Sequence, residues 1–350
     1  MEGDMGKTRF YSPYDTVHAW IEKQKPELSF SGSSQDEWRV WRRAFRARLV
    51  RLLGAMPKGG LTRPETLSRE EVGGVVREKV VFDTEATASV PAWVLSPMGL
   101  AKGERRPAIL AAHGHGIGKN PLVGLDAEEK PHTDYQKQLA VQLAQRGYVV
   151  VAPDWRGFGE RMSPDEWVRP SRDKCNVNYM AEGYRGYEFL ALQIWDGMRT
   201  IDYMQSRPDV DARRIGCVGV SFGGTMTTYL AALDRRISCA CVSGFLSSIR
   251  EGAMPARANF CGAQFMPGLL TIGDIADVVG LIAPKPLCIE MGIRDRTFVI
   301  EDARKAYRHL SRIYTAADAT DRLVKDEFDG EHEFSGATCL DWFDRWLREV

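Results

Sequence analysis

RIGCVGVSFGGT, residues 214–225, is the stretch whose reading decides the fold. Ile215 to Val220 is short and apolar, the pattern of a buried strand, and the TMTTYLAALD that follows is helix-like. Between them Gly219-Val220-Ser221-Phe222-Gly223 forms a G-x-S-x-G. In that motif a serine occupies a sharp strand-to-helix turn and presents its hydroxyl above a sheet. Glycine is needed two positions to either side, because a side chain there would collide with the neighbouring strand and helix. A helix starting behind Ser221 also supplies free N–H groups and the positive end of its dipole, which a developing oxyanion requires.

Outward from this stretch, apolar strands alternate with helical runs. VVREKVVF and SVPAWVLS predict a hairpin from Val75 that opens a sheet. RPAILAA (Arg106–Ala112) is a fully apolar strand that ends in His113-Gly114-His115-Gly116. A helix over 135–145, a strand over 148–152 and the loop DWRGFGE follow. After an irregular stretch at 161–185 come a long helix over 187–205 and then the serine strand. ISCACVS (237–243), LCIEMG (287–292) and LVKDEF (323–328) are further strands, with helices over 275–282, 301–316 and 337–348. Strands that are continuously apolar and separated by helices imply a mostly parallel sheet covered on both faces, an α/β fold. Residues 1–70 read as a helical extension packed on the main domain, which spans 71–350. Ser34 to Glu37 is a capping box before Trp38, Trp41, Phe45 and Leu49 at helical spacing. Loop insertions at about 161–185 and 245–272 have the placement of pocket walls.

Composition narrows the partners. Lys+Arg and Asp+Glu both number 47, so the net charge is zero, which argues against a nucleic-acid or anionic-membrane binder. The arginines 42, 43, 46, 48 and 51 form a basic helix face, read as solvated. MEGDMGKTRFYS has no apolar stretch of a signal peptide, so a cytoplasmic location is expected, with no segment long enough to cross a bilayer. The seven cysteines are odd in number and form no C-x-x-C, which predicts free thiols in a reducing compartment. Neither cysteine nor histidine falls at zinc-ligand spacing, so no metal and no cofactor are expected. A homo-oligomer that closes the pocket through the N-terminal helices is compatible with the chain.

A serine hydroxyl needs a base. Of six histidines only His309 and His332 follow Ser221, and His309 lies inside a predicted helix. His332, in FDGEHEF after the last strand, is the candidate base. The acid belongs after a later strand, and Asp295 follows LCIEMG, with Glu290 inside that strand as the second choice. The oxyanion donors are the N–H groups of Phe222 and of His115, or else Gly116, while the His113 ring is read as structural. Gly116, Lys119, Trp155, Glu160 and Phe265 are candidate substrate contacts.

AAHGHGIGK, APDWRGFGER, RIGCVGVSFGG, NFCGAQFMPGLL, LIAPKPL, GIRD and DGEHEF together make the chain from about Val75 resemble the α/β-hydrolase superfamily. More narrowly, it resembles the dienelactone-hydrolase-like and acetyl xylan esterase-like branch. The resemblance implies a serine hydrolase of small esters, acetylated sugars above all, acting through Ser221, Asp295 and His332. Some related glucuronoyl esterases carry a basic residue where Phe222 stands, so a uronate ester is not expected. The alternatives are a peptidase or amidase of prolyl-oligopeptidase type and a non-catalytic binding protein of the same fold.

Overall fold

Strand β4 (Arg106–Ala112) lies beside β6 (Val210–Val220) at the centre of a nine-stranded sheet. The computed structural model describes residues 9–349 apart from 60–62, 168, 170–171 and 254–260. The sheet order is β1-β2-β3-β5-β4-β6-β7-β8-β9. Here β1 is Glu65–Val72, β2 Val75–Glu85, β3 Ala88–Pro97 and β5 Val149–Pro153. The later strands are β7 (Ile237–Ser243), β8 (Leu287–Gly292) and β9 (Leu323–Phe328). From β5 onward neighbours run parallel, and β1, β2 and β3 join antiparallel at one side.

The pleat of β4 divides the core in two. Ala108, Leu110 and Ala112 face a cluster with Phe189, Ile194, Met226, Val278 and Ile313. Ile109 and Ala111 face a second cluster with Leu139, Leu143, Val218 and Phe343. Helices cover both faces, as continuous apolar strands require. On the first lie α5 (Phe189–Ser206), α6 (Phe222–Leu233), α8 (Ile275–Gly280) and α9 (Ile300–Ala316). On the second lie α3 (Leu139–Gln145) and α10 (Cys339–Phe343).

The N-terminal part holds α1 (Pro13–Lys23) and α2 (Gln35–Leu53), the latter with the Ser34–Glu37 capping box. Phe45, Leu49 and Leu53 of α2 are fully buried. A Cβ on Gly273 would meet the Phe45 ring at 2.5 Å, and one on Gly280 would meet Trp41 at 3.3 Å. Thus α2 seats on α8 and on the short α7 (Leu269–Ile272), at the base of the 245–272 stretch.

Three expectations need correction. Residues 65–70, assigned to the helical extension, belong to β1, whose residues are all exposed and so carry no apolar alternation to read. The 161–185 stretch is not irregular throughout. Helix α4 spans Lys174–Tyr184, started by the Asp173 side chain accepting the Asn176 N–H. The helix expected from 135 begins only at Leu139, because Lys137 and Gln138 adopt positive φ.

Truncating Phe45 to Ala in this seat is expected to cost about 3–5 kcal/mol. Urea unfolding of Phe45→Ala beside wild type measures it; a loss below about 1 kcal/mol would mean that α2 is not part of the cooperative core.

Candidate active site

The motif folds as its glycines demand. A Cβ on Gly223 would lie 2.0 Å from the Ala112 carbonyl oxygen, and one on Gly219 would lie 2.5 Å from the same atom. Ser221, between them, has φ 61° and ψ −120°, a conformation that costs a non-glycine residue energy. The Ser221 N–H donates to the Ser243 carbonyl of β7 at 3.0 Å, which holds the turn. Ser221 is 8 % exposed and sits at the C-terminal end of the parallel strands.

Asp295 and His332 arrive from the ends of β8 and β9. His332 Nδ1 lies 2.7 Å from Asp295 Oδ2. The other carboxylate oxygen, Oδ1, accepts the N–H groups of Thr297 at 2.7 Å and Phe298 at 2.9 Å, which fixes the carboxylate. The imidazole is sandwiched between Tyr135 and Phe298, with ring centroids 5.7 and 5.6 Å away and both planes tilted by 22°. It borders the turn: a Cβ on Gly244 would meet His332 Cε1 at 3.2 Å and Val220 Cγ1 at 3.6 Å. Among the described residues Ser221 Oγ makes no hydrogen bond, so serine and histidine share this border without a closed contact.

The loop after β4 is held by groups that spacing does not reveal. The Tyr135 hydroxyl donates to the His115 carbonyl at 2.8 Å, and the Gly114 N–H donates to Gln136 Oε1 at 2.7 Å. These two anchors explain the late start of α3: both residues are drawn out of the helix to serve the loop. Tyr135 therefore touches the candidate base with its ring and the candidate oxyanion loop with its hydroxyl. Among the described residues neither the Phe222 nor the His115 N–H donates a hydrogen bond, and their rings lie 5.3 Å apart. Two unspent donors on facing residues are what an oxyanion pocket needs. Gly116 beside them has φ 136° and is exposed.

His113 is structural. Nδ1 lies 2.7 Å from the Gly114 carbonyl, which can only accept, and Nε2 lies 3.1 Å from the Trp155 N–H, which can only donate. The ring is thus the neutral Nδ1–H tautomer, and complete burial pushes its pKa down to about 4.

Of the expected substrate contacts, Lys119 and Trp155 are overturned. Lys119 is 1 % exposed and pairs with Asp154 at 2.7 Å and with Glu160. Trp155 is fully buried in the core. Glu160 spends its carboxylate on Lys119 and on Lys79 at 3.3 Å. This ion-pair cluster pins the loops beneath the site. Arg156, too, is an anchor, bonded to Asp196 at 2.7 Å and to Glu85. Phe265 remains at the surface, edge-on to Tyr179 of α4 at 5.4 Å. Asn259 and Phe260 of NFCG lie outside the described residues. Cys261 follows them, and its thiol is drawn below the ordinary range by the neighbouring Cys175 thiol, against burial, with the nearby His115 acting in the same direction.

Glu290, the second choice for the acid, does other work. Its oxygens accept the N–H groups of Gly336 at 2.9 Å and Ser335 at 3.2 Å, so it ties down the segment just after His332. Burial raises its pKa to about 7.

A family model described as "Abhydrolase family" matches residues 1–319. The chain is 32 % identical over 292 residues to the "Putative hydrolase YtaP" of Bacillus subtilis (strain 168), covering 80 % of this chain and 91 % of that protein. It is 25 % identical over 182 residues to dipeptidyl-peptidase 5 of Porphyromonas gingivalis, covering 50 % of this chain but 22 % of that one. Among solved structures, a "putative acetyl xylan esterase" from Bacteroides fragilis superposes with a TM-score of 0.76 at 21 % identity, over 91 % of this chain and 83 % of the other. That likeness establishes the α/β-hydrolase fold.

The raised Glu290 pKa gives a stability test. The unfolded carboxyl titrates near 4.5 and the folded one near 7, so the native state holds the extra proton between these values. Its stabilisation is complete below about pH 4.5 and is lost as pH rises through 7, a change on the order of 3 kcal/mol. Urea unfolding at pH 5, 6, 7 and 8 should show this decline in wild type relative to Glu290→Gln, and parallel pH profiles would refute it.

Proposed function

This chain belongs to the Abhydrolase family, and from that premise we propose that it is a serine hydrolase of carboxylic esters, small acyl groups on carbohydrate or other small alcohols being its substrates. The observation that carries the proposal is the 2.7 Å Asp295–His332 hydrogen bond beside a serine at φ 61°. A serine kept in that costly conformation, next to an imidazole oriented by a carboxylate, has the makings of an activated nucleophile.

His332 Nε2 takes the Ser221 proton while Asp295 holds the Nδ1–H tautomer and stabilises the imidazolium. Ser221 Oγ bonds to the ester carbonyl carbon, and the N–H groups of Phe222 and His115 receive the oxyanion. Collapse breaks the bond to the alcohol oxygen, which leaves with the proton from His332. Water, deprotonated by the same imidazole, then adds to the acyl-enzyme and releases the acid. The scheme draws on no metal or organic cofactor.

Two features support a small ester. Phe158 and Phe222 stack at 5.1 Å beside His115, so the surroundings of the oxyanion donors are apolar and tight. Phe222 also puts an aromatic ring, not a cation, directly after the nucleophile, which does not suit a uronate. The likeness to dipeptidyl-peptidase 5 motivates a peptidase reading, but it covers half of this chain, whereas the acetyl xylan esterase superposition covers 91 %.

Hydrolysis of p-nitrophenyl esters from acetate to octanoate tests the proposal, with dipeptidyl p-nitroanilides in parallel. Wild type is expected to favour acetate. Ser221→Ala and Asp295→Asn should lower kcat by about 10³-fold or more. Wild-type activity no greater than that of Ser221→Ala on every ester refutes the esterase reading, and turnover confined to the anilides replaces it with a peptidase.

A further inference from the structure

Three segments far apart in the chain bring soft donors together beside the site. Cys175 lies in the first turn of α4, Cys261 in the 245–272 stretch, and His115 in the loop after β4. Their ligand atoms all lie within 4.8 Å of one another. The backbone around them is already fastened. The Gly262 N–H donates to Asn176 Oδ1 at 2.7 Å. A Cβ on Gly262 would meet the Cys175 carbonyl oxygen at 2.8 Å, so the two pocket loops touch at this point. The imidazole of His115 is wedged between Phe158 and Phe222, at 5.5 and 5.3 Å. Its Nε2 is buried with no hydrogen-bond partner. A buried imidazole nitrogen left empty is costly and calls for an explanation.

We propose that His115, Cys175 and Cys261 form a binding site for a thiophilic divalent ion, Zn²⁺ by its chemistry. Two thiolates and one imidazole are the donor set that zinc selects over harder ions. Bond lengths of about 2.3 Å to sulfur and about 2.0 Å to nitrogen place donors of a tetrahedron about 3.5–3.8 Å apart. The observed donors, within 4.8 Å of one another, would have to draw closer to reach that spacing when the ion binds. Two Zn–S bonds and one Zn–N bond form, and the two thiol protons pass to the buffer. Three protein ligands leave the fourth position to water. The ion staples both pocket loops to the segment that bears the His115 N–H. The site stands on the donor geometry and does not depend on the ester reading.

The remaining five cysteines are buried, which makes the test selective. Reduced full-length protein, freed of metal by chelation, is titrated with Zn²⁺ and separately with Co²⁺. The expected result is one equivalent bound per chain, with thiolate-to-cobalt charge-transfer absorption and the intense visible bands of a tetrahedral ion. Cys175→Ser and Cys261→Ser should each weaken Zn²⁺ binding at least about tenfold, as loss of one of three ligands implies. Should either variant fold poorly, iodoacetamide mapping of wild type replaces it, and Zn²⁺ should protect Cys175 and Cys261 from alkylation. Binding no tighter than that of the double variant, a pale octahedral cobalt spectrum, or alkylation unchanged by Zn²⁺ overturns the proposal. So does a Cys175–Cys261 disulfide that persists in reductant.

Discussion

The contact on which the rest depends is the passage of two glycines over one carbonyl. Gly219 and Gly223 both pass the Ala112 oxygen at distances no Cβ would tolerate. That closeness lets β6 turn into α6 within one residue, and the turn leaves Ser221 at positive φ. The same carbonyl ends β4, so the loop from His113 to Gly116 starts one residue from the turn. The separation of the two candidate oxyanion donors is therefore set by backbone packing at Ala112 together with the Tyr135 and Gln136 side chains that hold the loop. Strain at Ser221 is tolerated because β4, β7 and α6 close round it.

What the sequence discloses follows from where the side chains end up. Strands β4, β7, β8 and β9 have the bounds that their residues suggest. Each is a short apolar or amphipathic run between turn residues, and the inner strands are buried on both faces. The sharp turn at Ser221 and the meeting of Asp295 and His332 at the ends of β8 and β9 follow the spacing and the strand ends. By contrast β1 has no buried residue and hence no pattern, and α4 hides in a polar stretch whose only start signal is Asp173. Lys119 misleads because a charged residue in a loop is ordinarily solvated; here Asp154, fully buried itself, takes it out of water. Tyr135 and Gln136 could not be found at all. They look like the first turn of a helix, and only the folded loop shows that their hydrogen bonds are spent on His115 and Gly114.

Spacing along the chain does not disclose the approach of His115, Cys175 and Cys261 either. Motif reading detects groups supplied by one local turn, whereas these three come from separate segments. The 245–272 insertion rests on α7 and α8, which α2 covers from outside. The N-terminal helices thereby reach the pocket wall, α2 by packing and α1 through the Ile21 carbonyl, which accepts a hydrogen bond from Arg250.

The sheet finishes on both sides in charged strands. In β1 the sequence ETLSREEV places Glu65, Arg69, Glu70 and Glu71 along an exposed edge, with a register shift between Thr66 and Ser68. At the opposite end β9, LVKDEF, carries Lys325, Asp326 and Glu327. A further strand docking on either margin would have to desolvate these charges and follow an interrupted ladder. The charged margins thus give the protein built-in resistance to templated aggregation along its sheet edges.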